Sequence, residues 1–117
     1  MSIRDYKDLH IWLKGIEIAK SIYAITDSFP TNELYCLTSQ LRKAGISISS
    51  NIAEGFMRKH SKEYAYFLSI SLGSCAEIET QLIISKSRNY IAESLYNNLI
   101  GEIQYEMKMI SSLLSKL

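Results

Sequence analysis

Apolar residues recur at intervals of three and four along most of this chain, which is the spacing of one face of an α-helix. The pattern breaks near residues 29–30, 58–60 and 89–90, where polar residues or proline gather. No alternating run bounded by hairpin turns indicates a strand. The sequence therefore predicts four helices, at residues 9–27, 32–56, 62–88 and 92–117.

Local signals at the breaks support these limits. Asp8, Thr31 and Ser61 can each cap the helix that follows, because a short polar side chain accepts a hydrogen bond from a free backbone N–H. Phe29–Pro30 ends the first helix, since the residue before proline avoids helical geometry. Short connections favour antiparallel neighbours, so we expect an all-α, up-down-up-down four-helix bundle forming a single domain over residues 1–117.

Each predicted helix has an apolar stripe that should face the core. The inward-facing positions are Leu9, Trp12, Ile16, Ala19, Ile22 and Tyr23 in the first helix and Leu34, Leu37, Leu41, Ala44, Ile48, Ile52 and Phe56 in the second. Those of the last two helices are Tyr64, Phe67, Leu68, Ser71, Cys75, Ile78 and Leu82, then Leu95, Leu99, Ile103, Ile110, Leu113 and Leu117.

The second helix is unusually polar for a core helix and contains Gly45, although an interior glycine costs about 1 kcal/mol relative to alanine. If the next turn centres on Lys59, residues equally distant from it lie at one level of two antiparallel helices. Gly45 is then level with Gly73, and Arg42 comes within about one turn of Glu77. An arginine–carboxylate pair there would fix the register of the two helices, and the alternative is two exposed side chains that never meet.

Small residues from the first helix gather at the same height. A turn centred on Phe29–Pro30 brings Gly15 level with Ala44 and Gly45. We therefore expect Gly15, Gly45 and Gly73 to be packing positions that let three helices approach closely. A glycine-rich ligand loop is the less favoured interpretation, because such loops follow a strand.

Asn51 and Glu54 add two more polar side chains to the second helix. We assign both a structural role, with hydrogen bonds across helices or across subunits. A binding role is the less favoured alternative.

Composition narrows the class of protein. A hydrophobic content of 47% over 117 residues suffices for a packed core. The net charge of +1 opposes a strong global attraction to nucleic acid or membranes but allows a local basic patch. The N-terminal segment has no apolar signal core, and no uninterrupted apolar run approaches the roughly 18 residues of a membrane span. We expect a cytoplasmic protein with no membrane partner.

The residue types that carry catalysis are present but lack catalytic or metal-binding spacing. Neither His10 nor His60 follows a glutamate by three residues, which is the di-metal motif of helical bundles. Cys36 and Cys75 fit no metal or redox spacing, so we expect two buried small hydrophobic side chains. We predict no enzyme activity, no metal, no cofactor and no small-molecule substrate.

Six basic residues collect at one end of an up-down bundle, where the chain's N-terminus, the second turn and the end of the last helix meet. They are Arg4, Lys7, Arg58, Lys59, Lys62 and Lys116. These residues, hereafter the basic rim, are the candidate nucleic-acid site, because several weak phosphate contacts add up when copies are repeated in an oligomer. A solvated end that keeps the protein soluble is the alternative.

Several large side chains fall outside the predicted inner stripes. They are Tyr35, Tyr66, Ile70, Ile83, Ile84, Tyr96 and Tyr105. One bundle is too small to bury them all, and exposed apolar patches usually mark interfaces, so we expect the protein to assemble with other copies of itself.

The chain resembles the bacterial four-helix-bundle family encoded in intervening sequences of 23S rRNA genes, which is related to the accessory protein of diversity-generating retroelements. The resemblance rests on DLHIW at 8–12, SIYAITDSFP at 21–30, ELY at 33–35, QLRKAGISISSNIAEGF at 40–56 and FLSISLGSCAEIETQL at 67–82. The string SNIAEG is its most specific element, and the fourth helix matches only in apolar pattern. The resemblance implies an up-down bundle, a homopentamer, no catalytic activity and an accessory role that involves RNA or DNA.

Two functions remain open from the sequence. The first is a non-enzymatic, oligomeric accessory protein that binds RNA or DNA weakly and with little sequence preference. The second is a protein-interaction scaffold that contacts no nucleic acid. The near-zero net charge keeps the second alternative in play.

Overall fold

The computed structural model describes residues 3–117, and their regular structure is entirely helical. A 3₁₀ turn at Tyr6–Asp8 precedes the four helices, which are α1 (His10–Thr26), α2 (Ser39–Arg58), α3 (Ser61–Ser87) and α4 (Glu93–Leu114). α1 packs on α2 and α4, and α3 packs on the same two helices, so the helices occupy the corners of a square. The predicted all-α, up-down-up-down bundle is confirmed, in a particle of 45 × 25 × 19 Å.

Apart from the start of α2, the helix limits agree with the predicted ones within a few residues, but the predicted caps are wrong. Asp8 ends the 3₁₀ turn, and Leu9 precedes α1 without a side-chain cap. Thr31 begins a short 3₁₀ turn and caps nothing. Ser61 is the first residue of α3, with His60 at the cap position. Each helix therefore owes its position to tertiary packing more than to local capping.

The segment before α2 departs from the single helix predicted over residues 32–56. It contains a 3₁₀ turn at Thr31–Glu33 and then a π-helical turn at Leu34–Thr38, which runs directly into α2. The Glu33 side chain accepts a hydrogen bond from the Leu37 N–H at 3.4 Å. A π turn carries one residue more than an α turn, so the apolar stripe assumed for a regular helix does not continue through this segment.

The core is a column of isoleucine and leucine side chains contributed by all four helices. Its fully buried members include Ile18, Ile22, Leu41, Ile48, Ile52, Leu68, Ile78, Leu82, Ile103 and Ile110. The predicted stripes of α2 and α3 largely match these positions. Five residues predicted to face inward or to be buried are exposed instead, namely Tyr23, Leu34, Cys36, Leu95 and Leu117. Leu34 and Cys36 lie in the π turn, and Leu95 and Leu117 lie near the ends of α4, where a regular period no longer applies.

The buried face of α1 is rotated by about one residue from the predicted stripe. Its buried residues are Ile11, Gly15, Ile18, Ile22 and Thr26. Of the predicted stripe, Trp12, Ile16 and Ala19 are half-buried and Tyr23 is exposed. α1 is apolar on two adjacent faces, and the face that carries Gly15 points inward because it allows the closer approach of α2.

Two interhelical hydrogen bonds fix the register of α2 against α3. Ser71 Oγ donates to the Ile48 carbonyl at 2.8 Å, and Ser74 Oγ donates to Ser47 Oγ at 2.8 Å. Both pairs lie nearly equidistant from the connection at residues 59–60, where Lys59 adopts a left-handed conformation with φ of 62°. The level predicted from a turn centred on Lys59 therefore holds to within about one helical turn.

α3 is long and apolar enough to pass a length-and-composition test for a membrane-spanning helix. Core helices of soluble bundles pass the same test, and one third of the most apolar stretch is buried within this bundle. The apolar character of α3 therefore extends beyond its core-facing side. Tyr66, Ile83 and Ile84 are exposed on that outer side, hereafter the α3 outer face.

Candidate nucleic-acid interface

The basic rim lies at the end of the bundle formed by the 3₁₀ turn, the α2–α3 connection and the end of α4. All six of its side chains are exposed, namely Arg4, Lys7, Arg58, Lys59, Lys62 and Lys116. Tyr6 of the 3₁₀ turn lines a surface groove with Ala53, which places this turn beside the C-terminal part of α2. The topology therefore collects the predicted cations at one end, as the sequence pattern indicated.

Arg58 is less available to a phosphate than its position suggests. Its Nε atom lies 3.0 Å from Glu54 Oε2, and its Nη1 atom lies 3.9 Å from Glu63 Oε1. The guanidinium also covers the Phe67 ring at 5.2 Å from the centroid. These contacts hold Arg58 against its own bundle and offset its charge. Glu54 thus pairs within α2, whereas we had expected a bond across helices or subunits.

Lys59 and Lys62 are the rim cations best placed for an anion. Lys59 ends α2 in the left-handed conformation, and Lys62 lies in the first turn of α3. The first hydrogen bond of α3 joins the Tyr64 N–H to the His60 carbonyl at 2.9 Å. The N–H groups of residues 61–63 therefore have no acceptor within the helix, and they add a positive dipole end between the two lysines.

The N-terminal part of the rim mixes both signs of charge. Lys7 Nζ lies 5.6 Å from the Tyr6 ring centroid, and the Lys7 N–H donates to Asp5 Oδ1 at 2.9 Å. Asp5 and Asp8 are both exposed beside it. The rim therefore has only a modest excess of positive charge, which is consistent with weak rather than tight binding of phosphate.

Three of the four small residues predicted to share one level, Gly15, Ala44 and Gly45, are buried as expected, with a shifted register. A Cβ at Gly15 would overlap Ser49 Oγ and lie 3.0 Å from Ile48 Cγ2. A Cβ at Gly45 would lie 3.0 Å from Ile22 Cδ1. Gly15 is thus opposite Ile48 and Ser49, one turn beyond the predicted level of residues 44–45, because the 3₁₀ and π turns lengthen the α1–α2 connection.

Gly73 does not take part in this packing. It is exposed, and a Cβ built there would meet no atom within 4 Å among the described residues. Gly73 lies at about the predicted height along α3, but it is on the solvent-facing side of that helix and not on the side that packs on α2. A larger residue at this position should therefore cause no overpacking. Gly55 is the close contact that sequence reasoning missed, since a Cβ there would lie 2.8 Å from Phe67 Cβ.

Arg42 bonds to α1 rather than to Glu77, so the predicted pair is wrong. Its Nε donates to Thr26 Oγ1 at 2.9 Å, and its Nη2 donates to Asp27 Oδ1 at 3.1 Å. The guanidinium also lies 4.7 Å from the Tyr23 ring centroid. Glu77 is exposed and lines a polar groove on the α2–α3 side. Arg42 therefore ties the end of α1 to the start of α2.

Asn51 also bonds locally. Its Nδ2 donates to the Ser47 carbonyl at 2.9 Å and to Ser47 Oγ at 2.8 Å. Because Ser47 Oγ also accepts the bond from Ser74, Asn51 supports the α2–α3 contact through an intermediate side chain. Its role is structural, as predicted, but the direct partner lies in the same helix.

A buried carboxyl group is the main polar feature that sequence reasoning missed. Glu106 lies between Ile103 and Ile110 on the inner stripe of α4 and is 0% exposed. Neither of its oxygens has a hydrogen-bond partner within residues 3–117. Burial raises the pKa of Glu106 from 4.5 to about 8, against a smaller opposing effect of Lys14. The spacing 103–106–110 was the available signal, and it was overlooked because glutamate is usually exposed.

The surface also carries apolar side chains that the bundle leaves uncovered. A groove of about 300 Å³ runs between α1 and α2, and its apolar lining includes Trp12, Ile16, Ala19, Ile46 and Ala53. We call it the α1–α2 groove. Of the seven residues predicted to fall outside the core, Tyr35, Tyr66, Ile83, Ile84 and Tyr105 are exposed, and Ile70 and Tyr96 are half-buried.

Comparison with known proteins shows which family this chain matches. Residues 7–112 match the sequence profile described as 23S rRNA-intervening sequence protein. A crystal structure of a protein of unknown function from the S23 ribosomal protein family of Bacteroides thetaiotaomicron superposes with a TM-score of 0.83 at 21% identity. The superposition covers 90% of this chain and 95% of the other. No curated protein matches the chain in sequence. The structural likeness shows a shared fold.

Proposed function

This chain belongs to the 23S rRNA-intervening sequence protein family, and we propose that it is a non-enzymatic accessory protein that assembles with copies of itself and binds RNA or DNA weakly at the basic rim. The observation that carries the proposal is the arrangement of Lys59 and Lys62 around the N-terminus of α3. Two exposed cations there flank backbone N–H groups that have no acceptor within the helix. Helix N-termini of this kind suit phosphate.

The rim supports contact with the backbone of a nucleic acid, not recognition of bases. Its donors are lysine ammonium groups and main-chain N–H groups, which bind phosphate oxygens and carry no sequence information. Arg58 contributes less, since Glu54 and Glu63 pair with it. We therefore expect low affinity from one protomer, little sequence preference, and a large gain when several rims contact one strand.

Fluorescence anisotropy with a labelled single-stranded RNA tests the rim directly. Affinity should fall steeply with salt, because bound counterions are released when phosphates are neutralised. The variant Lys59→Gln/Lys62→Gln should lower the slope of log K against log salt by about 1.4 for each protomer that contacts the strand. Glutamine is unbranched and polar and only one atom shorter than lysine, so the helix ends should be preserved.

The matched control removes two cations from the opposite end of the bundle. Lys86→Gln/Arg88→Gln changes the net charge by the same amount, and the contacts it removes are the exposed Lys86–Glu93 pair at 3.5 Å and the packing of Lys86 and Arg88 on the Tyr96 and Tyr90 rings. The control should bind RNA like the unmodified protein. Binding absent at about 50 mM salt, or equal loss in both variants, would remove the rim as the site.

Assembly is supported by the uncovered apolar surface. The α1–α2 groove and the α3 outer face lie on different sides of the bundle, so a head-to-tail contact between them generates a ring when the rotation closes. The resemblance noted from the sequence implies that this ring is a pentamer. Tyr35, at 89% exposed, lies on a surface pocket that continues past Ile46 of the groove and would gain cover in such a contact.

Sedimentation velocity on a groove variant tests this assembly. Ile46 is 48% exposed in the groove, and Leu95 is 50% exposed on α4 away from it. Ile46→Lys should shift the protein towards monomer, whereas Leu95→Lys should not. A monomer in the unmodified protein at micromolar concentration would refute the assembly, and a dimer or tetramer would keep the interface and reject the pentamer.

The alternative function is a scaffold that binds protein partners alone. The observation that favours it is the pairing of Arg58 together with the near-zero net charge, both of which weaken attraction to phosphate. The scaffold would be supported if the protein purifies free of RNA, keeps its assembly, and binds RNA no more tightly than the Lys59→Gln/Lys62→Gln variant does.

A further inference from the structure

Side chains of three neighbouring helices could neutralise Glu106, but none among the described residues forms a hydrogen bond with it. α2 contributes only the Ser49 hydroxyl, which donates to the Trp12 carbonyl at 2.9 Å. From α1, the Lys14 ammonium is committed to Glu102 at 3.2 Å and Glu17 at 3.4 Å. Ionised Glu106 would therefore be a buried charge without a hydrogen-bonded partner, which is among the costliest states in a protein core.

The facing side of α3 offers no compensation either. Cys75 is buried there, and its pKa is raised to about 12 by burial and by the nearby charges of Glu106 and Glu79. A thiol that stays neutral cannot stabilise a carboxylate beyond a weak hydrogen bond. Glu79 carries the same sign of charge as Glu106, and its Oε2 accepts a hydrogen bond from Gln104 Nε2 at 3.3 Å.

The other polar contacts of α4 lie at the surface of the bundle. Its bonds to α1 and α3 are the Lys14–Glu102 and Lys86–Glu93 pairs, the His10–Tyr105 bond at 3.0 Å and the Gln104–Glu79 bond, all at least partly exposed. α2 and α3, in contrast, share the buried Ser71–Ile48 bond. Exposed pairs contribute little to stability, so the docking of α4 depends on its inner stripe.

That inner stripe has four buried residues, namely Leu99, Ile103, Glu106 and Ile110. One of the four is the unpartnered carboxyl. We propose that α4 is a pH-gated element of the bundle: when Glu106 is neutral α4 stays docked, and when Glu106 ionises α4 opens locally while α1, α2 and α3 remain packed. The proton is released to solvent as the helix opens, and it returns when the helix docks.

Hydrogen–deuterium exchange of the full-length, assembled protein tests the gate. After correction for the intrinsic pH dependence of exchange, the opening equilibrium of α4 should rise on the order of 50-fold between pH 6 and pH 8.5 through proton linkage. Peptides from α2 and α3 should change far less. Equal changes in all four helices would mean global loosening and would overturn the gate.

Variants test whether the pH dependence of exchange in α4 comes from the Glu106 carboxyl. Glu106→Gln and Glu106→Met both remove the titration, so each should abolish the pH dependence of α4 exchange, and the second keeps the test valid if the first folds poorly. His10→Gln replaces the imidazole that bonds Tyr105 of α4, leaves Glu106 in place, and should leave the dependence intact. Persistence of the pH effect in both Glu106 variants, or its loss in His10→Gln, would overturn the proposal.

Discussion

Replacing glycine by alanine should destabilise this bundle at some positions and stabilise it at others, and Gly15 should show the largest loss of stability. A Cβ at Gly15 would overlap Ser49 Oγ and lie 3.0 Å from Ile48 Cγ2 and 3.3 Å from Glu106 Oε2. Ser49 cannot simply rotate away, because its hydroxyl bonds to the Trp12 carbonyl at 2.9 Å. The Gly15→Ala change therefore separates α1 from α2 or breaks that bond.

The magnitude follows from three opposing contributions. Alanine gains about 1 kcal/mol over glycine in a helix interior. Overpacking costs about 1–3 kcal/mol, and loss of the Ser49–Trp12 hydrogen bond costs about 1 kcal/mol more. Gly15→Ala should therefore destabilise the protein by roughly 1–3 kcal/mol net. Gly101 is the matched control, because it is an exposed glycine inside α4 whose Cβ would meet no atom within 4 Å among the described residues.

Chemical denaturation with urea measures both variants in one assay. Gly101→Ala should raise the midpoint, because it keeps the helix-propensity gain of up to about 1 kcal/mol without a clash. Gly15→Ala should lower the midpoint at an unchanged slope. A Gly15→Ala protein as stable as the Gly101→Ala protein would show that α1 and α2 are not in the close contact described here.

Two further changes test other contacts. Because burial raises the Glu106 pKa from 4.5 to about 8, its stabilising contribution is complete below pH 4.5 and is lost as the pH rises to 8. The unmodified protein should therefore lose roughly 2–3 kcal/mol relative to Glu106→Gln between pH 5.5 and 7.5 in urea titrations, and parallel curves would refute this. Arg42→Lys should cost about 1 kcal/mol in thermal unfolding, since lysine cannot both bond Thr26 and cover Tyr23, whereas Lys43→Arg beside it should be neutral. No change in Arg42→Lys would mean that these bonds are not formed in solution.

The sequence predicted those features that depend on a regular period. The inner stripe of α3, from Leu68 through Cys75 and Ile78 to Leu82, is buried as expected because the helix is uninterrupted and the spacing stays constant. The level of α2 against α3 was predictable for the same reason, since the connection of residues 59–60 is short. The collection of the rim cations at one end followed from the topology alone.

The features that the sequence did not predict depend on rotation about a helix axis and on competition between partners. α1 is apolar on two faces, so periodicity could not decide between Ile18 and Ile16 as the inward residue. Arg42 on α2 had two candidate carboxylate partners, Asp27 after α1 and Glu77 on α3. The lengthened α1–α2 connection brings Asp27 to the guanidinium, and the two side chains form the ion pair. Glu106 escaped notice because its burial overrides the usual preference of its residue type.

The π turn at Leu34–Thr38 has a consequence for how this chain tolerates length changes. A π turn contains one residue more than an α turn and sits here as a single turn at the start of α2. Deleting one residue from the turn would restore α-helical spacing and leave the orientation of Ser39–Arg58 unchanged. Related chains one residue shorter at this place should therefore keep the same core, so that insertions and deletions in their alignment should concentrate in this turn.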